Sequence, residues 1–152
     1  MKKITVLYSP KLDPKHEKKA EKIRAQLGDR YEITWVKVHT EQDESDFFES
    51  AKPESVSLIL SLDFAGFHAM TTGNQPVINR LPMNVVVCVD RPLAWFDSIM
   101  QQNMSYTISF LFFSKTDYLQ AKSQYPHLWQ MDYCEDRESG LMAYLTNLVW
   151  RF

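Results

Sequence analysis

Val56-Ser57-Leu58-Ile59-Leu60-Ser61-Leu62-Asp63 and Asn84-Val85-Val86-Val87-Cys88-Val89-Asp90 decide the fold. Each is a near-continuous apolar run that stops on an aspartate. A strand apolar at successive positions has both faces covered, the mark of a parallel sheet held between helix layers. In such sheets ligands gather at the carboxyl ends of the strands, so both aspartates belong to the rim where a site is expected.

Outward from these two strands the pattern alternates. Residues 3–9 read as a strand, followed by a helix over 14–27 with Asp13 as cap and Pro14 in its first turn. Ala20, Ile23 and Leu27 give that helix one narrow buried stripe. Residues 31–38 alternate polar and apolar, which predicts an edge strand. A short acidic helix over 41–51 ends at Pro53. Residues 64–81, punctuated by Gly66, Gly73 and Pro76, read as a loop with a short helical piece and another at 77–81. Further elements are a helix from Pro92 to Met100 or Gln102, a strand over 106–113, and a helix over 115–124 capped by Ser114. A sixth strand over 128–133 and a closing helix over 139–149 complete the chain. The expectation is an α/β fold: an open, mostly parallel sheet of five to six strands with helices on both faces. That is a Rossmann-like three-layer sandwich in a single domain spanning 1–152.

Composition narrows the function classes. At 152 residues, with 45% hydrophobic and 24% charged side chains, the chain can bury a core without staples. A net charge of −2 leaves no surplus of Lys and Arg to neutralise phosphates, which argues against nucleic acid as a partner. No run approaches the roughly 18 apolar residues of a membrane span. The amino-terminal apolar run is too short for a signal peptide, so the expected location is the cytoplasm and no membrane partner is expected. Two cysteines make no disulfide framework, and without a CxxC or Cys/His cluster no metal is expected.

The turn after the first strand, Ser9-Pro10-Lys11-Leu12-Asp13-Pro14, has no glycine. It carries neither a dinucleotide fingerprint nor a Walker loop, and no cofactor is expected. A G-x-S-x-G elbow is absent too. What remains are polar residues along the rim. Asp63 and His68 either orient one another as a base and its helper, or Asp63 caps a turn and His68 faces solvent. Asp90 is placed to cap the helix that follows it, and Arg91, with Arg80 near in sequence, could hold a phosphate or carboxylate. Thr72 and Asn74, in a small polar loop, could bind a sugar or phosphate. Trp95 is expected to point outward and Phe96 inward. Phe110, Phe112 and Phe113 read as core, and His16, His39 and His127 as surface.

Three segments together resemble a known family: Leu60-Ser61-Leu62-Asp63-Phe64, Cys88-Val89-Asp90-Arg91-Pro92, and Ser109-Phe110-Leu111-Phe112-Phe113-Ser114 with the helix after it. They look like the amino-terminal domain of bacterial glycosyltransferases of the spore-maturation type, which have a GT-B architecture. In that family the third of these strands tends to end in Asp, where this chain has Phe113-Ser114. The nucleotide-sugar is held mainly by a second domain, and this sequence ends at Phe152 without one. The resemblance therefore implies an acceptor-side half that does not transfer sugar alone. It would bind a small polar or sugar ligand, or a nucleotide-sugar, through Asp63, His68, Thr72, Asn74, Asp90 and Arg91. A second domain, a partner subunit or a homo-oligomer would complete it. The alternative is a non-enzymatic interaction module that associates through its aromatic surface.

Overall fold

The computed structural model describes residues 2–9, 15–70, 73, 75–128, 130–135, 143 and 144. Six strands form one sheet in the order β2-β1-β3-β4-β5-β6: β1 (Lys3–Tyr8), β2 (Glu32–Lys37), β3 (Leu58–Leu62), β4 (Asn84–Val89), β5 (Ile108–Phe112) and β6 (Met131–Tyr133). Every neighbouring pair is parallel. The expected Rossmann-like α/β sandwich is what forms, with six strands.

The helices are α1 (His16–Leu27), α2 (Glu41–Ser50), α3 (Asp97–Met100) and α4 (Lys115–Gln124). Strand alternation sends one set of side chains to each face. Leu7, Ile59, Val85, Val87, Phe110 and Phe112 join the core beneath α2, α3 and α4 through Phe48, Met100 and Ala121. Ile4, Val6, Leu58, Leu60, Val86 and Leu111 form the other core with Ile23 and Leu27 of α1. Ala20, Ile23 and Leu27 are buried as their spacing requires, and β2 is an edge strand with a half-exposed surface.

Ser114 caps α4, its hydroxyl accepting from the Asp117 amide at 3.3 Å. The segment after Pro92 is not one helix. Leu93–Phe96 is a 3-10 turn, and Phe96 at φ −113° breaks helical geometry before the single turn of α3. That break lets both Leu93 and Phe96 reach the core while Trp95 stays 62% exposed. Phe113 is only partly buried, packed on the α1 side. Asp13, Pro14 and most of the 139–149 helix lie outside the described residues. Tyr144 packs on the α1-side core. Among the described residues no helix is long and apolar enough to cross a membrane.

Candidate functional site

The strand order places the site. From β1 the chain passes through α1 to β2 on one side, then through α2 back across β1 to β3 on the other. The connections leaving β1 and β3 therefore diverge, and a crevice opens at their carboxyl ends. A cavity of about 230 Å³ occupies that place. Ser9 after β1, Val38, His39 and Thr40 after β2, Glu41 and Glu44 of α2, and Ala65 and His68 after β3 line it.

The turn after β3 is tightly specified. Asp63 and Phe64 adopt φ values of 50° and 62°, and Gly66 follows at 98°. Side chains rarely tolerate such angles, and Asp is among those that do. Asp63 is buried, and its Oδ1 accepts the amides of Asp90 at 2.7 Å and Arg91 at 3.1 Å. Its own amide donates to the Cys88 carbonyl at 2.9 Å. The two aspartates do meet on one rim, and Asp63 laces the β3 turn to the β4 turn. Phe64, packed on Phe67, Phe96 and Phe110, fixes the other side of the turn. The chain then emerges at His68 in one defined place.

His68 meets Glu44, not Asp63. Glu44 is buried; its Oε1 accepts the amides of His68 and Ala69, each at 2.8 Å, while its Oε2 lies 3.2 Å from His68 Nδ1. One carboxylate thus fixes both the backbone and the ring of the histidine. The Glu44 hydrogen bond raises the His68 pKa above its usual 6.5 against the opposing effect of partial burial, and the charges of Glu44 and Glu41 add to the rise. With Nδ1 facing the carboxylate, the ring proton of neutral His68 resides there, leaving Nε2 as an acceptor. Nε2 makes no hydrogen bond to the described residues. His39, read from sequence as a surface residue, lines the cavity, and its Nδ1 is buried with no partner among the described residues.

The other rim residues are engaged differently. Asp90 does not cap the following turn, which has no side-chain cap; its Oδ2 lies 2.6 Å from Lys19 Nζ of α1. Arg91 stacks over the Trp95 ring at 4.3 Å. Arg80 cannot join it, because Val77–Arg80 precedes β4 and stands at the strand's opposite end. Thr72 and Asn74 lie outside the described residues. Cys88 is fully buried, which pushes its thiol pKa up and leaves it unreactive. Among the described residues no three His, Cys, Asp or Glu side chains are grouped to hold a metal ion.

Glu44 and His39 were missed by sequence reasoning. One signal pointed to Glu44: it stands four residues before Phe48, and these two are the buried residues of α2. Comparison of the chain with protein-family models, curated proteins and solved structures finds no match.

Proposed function

We propose that this chain is a glycosyltransferase-like acceptor-side domain that binds a small polar or sugar ligand at the β1/β3 crevice and does not transfer sugar by itself. The observation that carries this reading is the polar cavity at the topological switch point, with a half-exposed histidine held in place by a buried carboxylate. Ligands of open parallel sheets bind in such crevices. Orienting an imidazole through a carboxylate recurs where a histidine must present its second nitrogen to a ligand. At about 230 Å³ the cavity falls below the roughly 300–1,000 Å³ of sites that enclose larger ligands. A single ring fits that volume; a whole nucleotide-sugar would extend beyond it.

The rival reading, an interaction module with an aromatic surface, has less support. Trp95, Tyr106 and Leu119 are the most exposed large apolar side chains among those described. Trp95 follows β4, Tyr106 precedes β5 and Leu119 lies on α4, so they are spread over both ends of the sheet and one face. A docking surface needs such groups together.

Amide-resolved NMR titration with an equimolar mixture of glucose, galactose, mannose and N-acetylglucosamine tests the proposal. Shifts concentrated at residues 38–44 and 65–69, and lost in His68→Ala, are expected. Shifts scattered over the surface, or none, would overturn it.

A further inference from the structure

The crevice has a definite electrostatic character. An open helix N-terminus attracts phosphate through its free amides and dipole. The N-terminus of α2 faces this cavity through Thr40 and Glu41, but a capping box already occupies it and takes the Asp43 amide. Asp43 Oδ2 accepts from His39 N at 2.9 Å and Thr40 N at 3.3 Å, and Thr40 Oγ1 accepts from Asp43 N at 3.1 Å. Glu44 takes the amides of His68 and Ala69. Glu41, Asp43 and Glu44 also bring three carboxylates to that first turn. Among the described lining residues there is no Lys or Arg.

What the cavity does offer is acceptors. His68 Nε2 is left as an acceptor once Nδ1 donates to Glu44. Glu41 contributes an exposed carboxylate, and His39 a buried ring nitrogen with no partner among the described residues, a donor or an acceptor according to its tautomer. A buried polar atom of that kind marks a place where a ligand or water belongs.

We infer that this crevice recognises its ligand by accepting hydrogen bonds, so that it takes a hydroxyl-rich ligand free of negative charge and turns phosphorylated ligands away. The inference rests on the reading of the crevice as a binding site. It makes binding depend on the protonation of His68. The groups facing that ring are Glu44 and Glu41 from α2 and His39 from the β2–α2 turn; within its own loop Asp63 is buried and turned to the β4 amides. Protonation turns Nε2 into a donor and removes the acceptor that a ligand hydroxyl needs. Binding therefore weakens as pH falls through the raised pKa of His68.

The experiment compares the four-sugar mixture with the 6-phosphates of the same sugars at one fixed ionic strength, by the amide shifts of residues 38–44 and 65–69. The expected result is at least tenfold weaker binding of the phosphates, a gap narrowed in Glu41→Gln. Sugar binding is expected to fall in His68→Ala and in the wild type as pH drops from about 8 to about 6. Phosphates that bind as tightly as the plain sugars, at the same amides, overturn the inference while the crevice keeps its role as a binding site. If neither set moves these amides, the binding-site reading fails and the inference fails with it.

Discussion

Glu44 and Asp63 are the two buried carboxylates among the described residues, and each is held by backbone amides. An ionised acceptor bonded to buried amides contributes about 1.5–3 kcal/mol. Asp63→Ala strands two amides and places a non-glycine side chain at φ 50°, so a loss of about 3 kcal/mol is expected in urea unfolding. Asp63→Asn keeps a side-chain oxygen and tolerates the left-handed angle, and should lose less than half as much. Equal losses would show that the amide bonds carry little of the stability. Glu44→Gln has a different signature, since it removes the charge that favours protonated His68. An NMR titration should find the His68 pKa lower in this variant than in the wild type. The folded pKa lies above that of the unfolded chain. Stability from this pair is therefore full below the unfolded value of about 6.5 and is lost as pH rises through the folded value. The stability gap between wild type and His68→Ala should shrink between about pH 6 and pH 8, whereas a constant gap would assign His68 a packing role alone.

At the scale of elements the β3 turn is the part that positions the site. Gly66 has φ 98°, and a Cβ there would stand 2.7 Å from Leu7 Cδ1. Leu7 is fully buried in β1 and cannot swing aside. Gly66→Ala should cost about 2–4 kcal/mol in chemical denaturation and shift the His68 and Ala69 amides, because the turn that aims them would reshape. A cost within error would mean the turn has room to relax. Much of the element pattern was legible in local sequence. The helix at 115–124 follows from Ser114 at its cap, and α1 from three apolar residues at helical spacing. The aspartates meet on one rim because both close parallel strands that lie side by side. What stayed hidden came from contacts between distant segments. Asp90 reads as a local cap, yet it pairs with Lys19 of α1, and its own amide and that of Arg91 donate to Asp63. Glu44 reads as one more charge on a short acidic helix. Only the crossing of α2 over β1 brings it to His68, and no local pattern encodes that crossing.

Across the whole molecule, the sheet's two directions of travel have to be held together at the rim. α1 and β2 belong to the strands wound one way from β1, and β3 to β6 to those wound the other. The Lys19–Asp90 pair spans this divide, from α1 on one face to the end of β4. At 2.6 Å, with side-chain exposures of 25% and 11%, it is shielded from water. Glu17–Lys37, at 3.0 Å, offers an internal comparison: it also joins α1 to a strand, but its side chains are 53% and 43% exposed. Solvent screens such a pair and the entropy of two long side chains opposes it, so its net worth vanishes. Double-mutant cycles to Met at Lys19 and Asn at Asp90, and to Met at Lys37 and Gln at Glu17, should separate the two. The rim pair is expected to show coupling of about 1 kcal/mol that persists in about 0.5 M salt, and the outer pair none beyond error. Equal coupling, or a rim coupling erased by salt, would remove Lys19–Asp90 as a clasp between the halves. The crevice would then owe its shape to the strand order and the Asp63 bridge alone.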